Sequence, residues 1–138
     1  MTVSRIARRD VVSVGPETAA EELAAVLREE RIGSVVVVEG ERPVGIVTDR
    51  DVGIGIWDHE DPAAATAADL MTPDPVTVEL DEGIYDALQV ASEANVRRLP
   101  VVDDGRLAGI VTLDDFVVLL AGELEAVSDV IQAESPAY

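Results

Sequence analysis

Two stretches, Gly45-Ile46-Val47-Thr48-Asp49-Arg50-Asp51 and Gly109-Ile110-Val111-Thr112-Leu113-Asp114-Asp115, decide how this chain is read. Each is a β-branched run ending in a threonine, with an aspartate three residues later. The run has strand character, and Thr-x-x-Asp has the form of a helix start. A helix start leaves backbone N–H groups without partners and concentrates the positive end of the helix dipole, so it suits a phosphate. The threonine hydroxyl can donate to that anion, and an ionised aspartate one turn on can accept from both hydroxyls of a ribose. The same spacing also forms capping boxes on helices that bind nothing. A single copy leaves both readings open; two copies in equivalent places weigh toward a pair of sites.

The equivalence is a repeat. An offset of 64 residues sets residues 3–52 on residues 67–116 without a gap, with Val12-Ser13-Val14 on Val76-Thr77-Val78, Arg42 on Arg106 and Asp51 on Asp115. Each copy reads as β-α-β-β-α. A short strand (11–14; 75–78) precedes a helix entered through Thr18-x-x-Glu21 in the first copy and Asp81 in the second. The helical stripes Ala20, Leu23, Ala24, Leu27 and Ile84, Ala87, Leu88, Ala91 are core positions. Two strands follow, at 35–38 and 44–47 in the first copy, joined by Glu39-Gly40-Glu41-Arg42, with Asp103-Asp104-Gly105-Arg106 as the matching turn. One such unit of about 50 residues would be marginal alone, so the copies should pack together.

The division expected is a first repeat at 1–56, a polar, Ala-rich linker at 57–66 broken by Pro62, a second repeat at 67–132 and a frayed tail at 133–138. The spacing of Phe116, Leu119, Leu120, Leu124, Val127 and Ile131 predicts a long terminal helix with an apolar stripe.

Composition narrows the function. There are 28 acidic and 10 basic residues, every basic one an arginine, for a net charge of −18. That balance disfavours nucleic acid and anionic membrane surfaces as partners and resembles the proteome of an extreme halophile. No apolar run reaches the ~18 residues of a membrane span and no signal-peptide pattern opens the chain, which points to a cytoplasmic protein. Without cysteine or lysine, and with no Ser-His constellation or HExxH motif, catalysis is hard to place. His59 is the only histidine and stands in the linker, so no metal site is expected.

The repeat, the Asp69-Leu70-Met71-Thr72-Pro73 lead into the second copy, the Arg97-Arg98-Leu99-Pro100-Val101-Val102-Asp103 run and the twin Gly-Ile-Val-Thr-x-x-Asp endings together resemble a tandem pair of cystathionine β-synthase (CBS) domains, the Bateman module, over roughly residues 3–130. The resemblance implies an α/β (α+β) fold: two β-α-β-β-α repeats packed through their sheets with pseudo-two-fold symmetry. It also implies clefts between the repeats that bind AMP, ADP, ATP or S-adenosylmethionine as regulatory ligands, with no catalytic cofactor. Such modules commonly form homodimers and regulate a partner, here an unidentified effector protein. Carried over to this chain, Thr48 and Thr112 serve phosphate and Asp51 and Asp115 ribose. Val12 and Val14 in one repeat, and Val76 and Val78 in the other, offer backbone and apolar surface to adenine, with Ile32 and Val96 as walls. Arg97 and Arg98 stand where the family often carries phosphate-binding residues. Thr72 matches a position near the ligand, where the first copy has Arg8.

The copies are unequal, because Gly33-Ser34 replaces Arg97-Arg98 and Ala7-Arg8-Arg9 replaces Met71-Thr72-Pro73. In the family's arrangement Thr48 and Asp51 share a cleft with Arg97 and Arg98, whereas Thr112 and Asp115 face the uncharged Gly33 and Ser34. Phosphate-rich ligands are then expected at the Asp51 cleft first, unless Arg8 reaches the other. The competing reading is a ligand-free structural or dimerisation module that keeps the fold without the sites.

With 18 excess negative charges, self-repulsion extends farther as salt is removed, since the Debye length grows from about 3 Å at 1 M to about 30 Å at 0.01 M. Unfolding midpoints should therefore fall as ionic strength drops from molar to millimolar. A flat profile would remove both this expectation and the halophilic reading.

Overall fold

Val35 and Val37 face one side of a strand and Val36 the other, yet all three are fully buried. The strand is β2 (Ser34–Glu39), and it is covered on both faces at its centre. The computed structural model describes residues 1–136. Its first sheet has the order β1-β2-β3-β4, with β1 (Ser13–Val14) parallel to β2, and β3 (Arg42–Thr48) and β4 (Thr72–Pro73) antiparallel to their neighbours. The second sheet has the order β5-β6-β7, from β5 (Val78–Glu79), β6 (Arg98–Asp103) and β7 (Arg106–Thr112). Helices α1 (Ala20–Glu30) and α2 (Asp49–Asp58) cover the first sheet, and α4 (Ile84–Ala94) and the start of α5 (Leu113–Glu134) cover the second. The short α3 is Ala67–Leu70. The expected α/β class and doubled β-α-β-β-α architecture are therefore present. No helix among the described residues is long and apolar enough to cross a membrane.

Two aliphatic cores result. Leu23, Leu27, Val35, Val37, Val47 and Val52 form one; Ile84, Ala87, Leu99, Val101, Val111 and Phe116 form the other. Ala24 belongs to neither: it is exposed, and Val26 packs in its stead.

The cores do not respect sequence order. Val3, from the first copy, is fully buried in the second core, whereas Ala65, Ala67 and Leu70 are buried in the first. The exchange is held by matched backbone hydrogen bonds. Val3 N–H donates to Glu82 O at 2.8 Å, and its repeat mate Ala67 N–H donates to Thr18 O at 2.8 Å. The crossing segments also supply the helix caps. Ala20 N–H donates to Ala65 O at 2.9 Å and Ile84 N–H to Met1 O at 3.3 Å. Accordingly the N-caps are Ala19 and Gly83, with no side-chain bond, and not the expected Thr18 and Asp81. A helix-start N–H needs an acceptor, but a carbonyl from a distant strand serves as well as a side chain.

The region between the repeats is also built in. It holds the last turn of α2, a 3₁₀ turn at Pro62–Ala64 capped by Asp61, and the buried Ala65. Residues 133 and 134 of the tail are helical in α5, and residues 137 and 138 lie outside the described residues. From residue 121 onward α5 is exposed all round, with Leu124, Val127, Val130 and Ile131 uncovered.

The sheets meet along β3 and β7, where Leu107 N–H donates to Glu41 O at 2.7 Å and Arg106 pairs with Glu41 at 3.3 Å. Each crossing segment then lies along the last strand of the opposite sequence copy. Thr72 pairs with Ile46, and Arg8 with Ile110. A glycine is required where this happens: a Cβ on Gly109 would stand 2.7 Å from the Arg8 carbonyl oxygen.

Two substitutions test this interleaving. Val3→Ala should cost about 2 kcal/mol, two methyl groups and the void they leave, and hydrogen exchange should speed up in α4 before α1. Loss confined to α1 would contradict the exchange. Gly109→Ala should cost about 1–3 kcal/mol by forcing the Arg8 backbone away from β7, measured as a lower urea midpoint.

Candidate functional site

Strands β3 and β7 each deliver a threonine in extended conformation to the first turn of a helix, Thr48 to α2 and Thr112 to α5. Thr48 N–H donates to Asp51 Oδ2 at 2.9 Å, and Asp51 N–H donates to Thr48 Oγ1 at 3.1 Å. At α5 both the N–H and the hydroxyl of Thr112 donate to Asp115 Oδ2, at 2.8 and 3.0 Å. Capping is thus real at both places. It also occurs at α3, where Thr66 donates twice to Asp69 Oδ2 and these bonds hold the Asp69 carboxyl below its usual pKa. That third Thr-x-x-Asp borders neither of the clefts that the other two threonines line, so what distinguishes those two is their surroundings.

Those surroundings are two clefts. The larger, about 740 Å³, lies between β1 and its lead-in, the end of α1, and the start of α5. It brings together Arg8, Val12, Ile32 and Thr112 with Arg97 and Arg98. The smaller, about 270 Å³, brings together Thr48, Thr72, Val76 and Val96, again with Arg97 and Arg98. Arg97 and Arg98 therefore border both. Four of the remaining expected residues sit elsewhere. Val78 is buried in the second core and Val14 packs on the first, so neither faces a cleft. Asp51 and Asp115 line neither cavity surface and stand behind their threonines, bonded to them.

The Thr48 cleft holds Arg97 and Arg98, as expected, but the Thr112 cleft is not the uncharged one that was expected. The Thr112 cleft does face Gly33 and Ser34, but it is also lined by Arg8, Arg31, Arg97 and Arg98. The reason is partly the glycine: a Cβ at residue 33 would lie 3.2 Å from Arg98 Nη2, so the missing side chain leaves room for that guanidinium. Arg8 comes from the crossing segment, and both its Nε and Nη2 donate to Asp115 Oδ1, at 3.2 and 3.0 Å. The helix starts differ as well. At α2, Arg50 N–H is taken by Asp49 Oδ1 at 2.8 Å, whereas at α5 the Asp115 N–H faces the Thr112 side chain in the capping box and the Asp114 N–H meets no acceptor among the described residues.

Sequence reasoning missed Arg31, Asp10 and Asp114. Arg31 had a signal. It ends α1 in the left-handed region, φ 55°, at the position where its repeat mate Asn95 ends α4 with the same angle. Asparagine tolerates that conformation far better than arginine does. Arg31 is thus an arginine in the left-handed region that lines the larger cleft.

Family comparison matches this arrangement. The model of the CBS domain fits residues 3–52 and 67–122. An uncharacterized protein of Methanopyrus kandleri is 41% identical over 120 residues, 85% of this chain and 61% of that protein. Hypoxic response protein 1 of Mycobacterium tuberculosis is 36% identical over 118 residues, covering 83% of this chain and 82% of its own. An inosine-5′-monophosphate dehydrogenase of Korarchaeum cryptofilum is 36% identical over 108 residues, but the chain spans only 22% of that enzyme. Among solved structures, a CBS domain pair in complex with 5′-methylthioadenosine and S-adenosyl-L-methionine superposes with a TM-score of 0.79 at 26% identity, covering 89% of this chain and 98% of that one. CBSX2 in complex with AMP does so at 0.73 and 29% identity, covering 90% and 98%. Matched twice along its length and folded as those pairs are, this chain belongs to the CBS domain family and carries the domain in tandem.

Proposed function

We propose that the chain is a non-catalytic regulatory module that binds an adenosine-containing ligand in the clefts between its two repeats and signals occupancy to a partner protein. One observation carries the reading: a single cavity is walled by both repeats, with apolar strand-leading residues on one side and a threonine helix start ringed by arginines on the other. Val12 and Ile32 offer adenine an apolar slot, Thr112 and the arginines offer phosphate its donors, and Asp115, behind Thr112, accepts from ribose once Arg8 is displaced from it. Thr48, Asp51, Val76 and Val96 repeat the pattern in the smaller cleft, with Thr72 at its rim. Related CBS pairs hold AMP or S-adenosylmethionine, which supports an adenosyl ligand here. Because both repeats wall each cleft, a ligand that bridges them shifts how they sit, and that shift is what a partner reads. The uncovered apolar residues of α5 support assembly into a homodimer or onto the regulated protein.

A thermal-shift series with AMP, ADP, ATP and S-adenosylmethionine in high salt tests the reading. A ligand at 100 times its dissociation constant adds about 2.7 kcal/mol, a rise on the order of 10 °C for a chain of this size. No shift with any of the four would leave the ligand-free structural module as the function.

A further inference from the structure

Asp115 has no acceptor capacity left. An ionised carboxylate offers about four lone-pair sites. Here Oδ2 takes two bonds from Thr112, and Oδ1 takes two from Arg8. Asp51 stands in the matching place with only its Oδ2 engaged, and among the described residues no donor reaches its Oδ1. The difference traces to the crossing segment, which has Arg8 where the other copy has Thr72.

Resting on the reading above, we propose that Arg8 is a specificity-determining residue that makes the Thr112 cleft select phosphorylated adenosine nucleotides over neutral adenosyl compounds. A ribose can reach Asp115 Oδ1 only if the Arg8 guanidinium leaves. The Arg8 backbone is pinned to β7, its N–H donating to Ile110 O at 2.9 Å and its carbonyl accepting from Ile110 N–H at 3.0 Å, so only the side chain can move. That side chain is 67% exposed, with solvent to move into, while the Asp115 side chain is only 12% exposed. A neutral adenosine takes the aspartate and gives the displaced arginine no anion in return, beside Arg31, Arg97 and Arg98 in the same cavity. Asp10 and Asp114 also border the cavity, and two carboxylates among four arginines leave it net positive. A nucleotide brings its own phosphate, so Arg8 exchanges one anion for another. The ion pair thus lowers affinity for every ribose and restores it only for those carrying phosphate. The Asp51 cleft has no such guard.

The test is calorimetric titration of the full chain in Asp51→Ala, which removes the ribose acceptor of the other cleft, against adenosine and AMP at one fixed salt concentration. With Arg8 present, AMP should bind about a hundredfold more tightly than adenosine, the scale of charged hydrogen bonds gained by one ligand and not the other. Arg8→Gln should weaken AMP about tenfold and strengthen adenosine several-fold, so that the ratio collapses. Arg8→Lys, which keeps the charge but not the forked donor pair, should retain part of the discrimination. Thermal melts establish that each variant is folded. If AMP and adenosine bind and Arg8→Gln leaves their ratio unchanged, the selection by Arg8 is overturned while the nucleotide module stands. If neither ligand binds any variant or the unmodified chain, the proposed function falls and takes this inference with it.

Discussion

The backbone hydrogen bonds that tie each repeat's lead-in to the opposite repeat are the constraint on which the rest depends. Val3 to Glu82 and Ala67 to Thr18 hold the crossings, and the carbonyls of Met1 and Ala65 cap α4 and α1. These are groups that would be unpaired if either repeat were taken alone, and an unpaired buried backbone group costs as much as a lost hydrogen bond. The two cores are each completed by side chains from the other copy, so the unit of folding is the pair. The clefts lie where the crossing segments meet the last strands, which is why Arg8 and Thr72 arrive beside helix starts far from them in sequence.

Symmetry of backbone with asymmetry of side chains makes two sites from one plan. Leu113 N–H donates to Arg97 O and Asp49 N–H to Gly33 O, at 2.9 and 3.0 Å, so the frame is nearly the same in each cleft. What differs is decoration. Gly33 leaves its side-chain space to the guanidinium of Arg98, and Arg31 extends from a left-handed position that asparagine occupies in the other copy. The result is one wide, arginine-lined cleft and one narrow cleft, both bordered by Arg97 and Arg98.

Much of this was legible in the sequence, and the failures have a common cause. The 64-residue offset located every principal strand and helix, because patterning within a repeat reports local structure and two copies confirm each other. The caps of α1 and α4 were misread because their acceptors are carbonyls, which carry no residue signature, from a segment outside the local window. The place of Arg8 is hidden for the same reason: the exchange of lead-ins is a property of packing, invisible to a pattern that assigns residues 3–8 to the copy they precede. Val14 and Val78 went to the cores because they stand in β1 and β5, whereas Val12 and Val76 precede those strands, outside their regular alternation, and border the clefts. The Thr66-x-x-Asp69 turn shows how little the motif says unaided, since it repeats the capping bonds and borders neither of the two clefts.

Charge is where the sequence misleads and the structure explains. A net charge of −18 argues against anionic partners at a distance, yet four of the chain's ten arginines line one cavity. The two statements act over different ranges. Far-field repulsion between an acidic surface and a phosphate extends over the Debye length, so it shrinks to about 3 Å in molar salt. Guanidinium contacts at hydrogen-bonding distance, inside a cleft that excludes part of the solvent, are screened far less. Raising salt therefore removes the barrier to approach before it weakens the contact. A strongly acidic protein can take an anionic ligand on this basis, provided its few cations converge on one place, as they do at the start of α5.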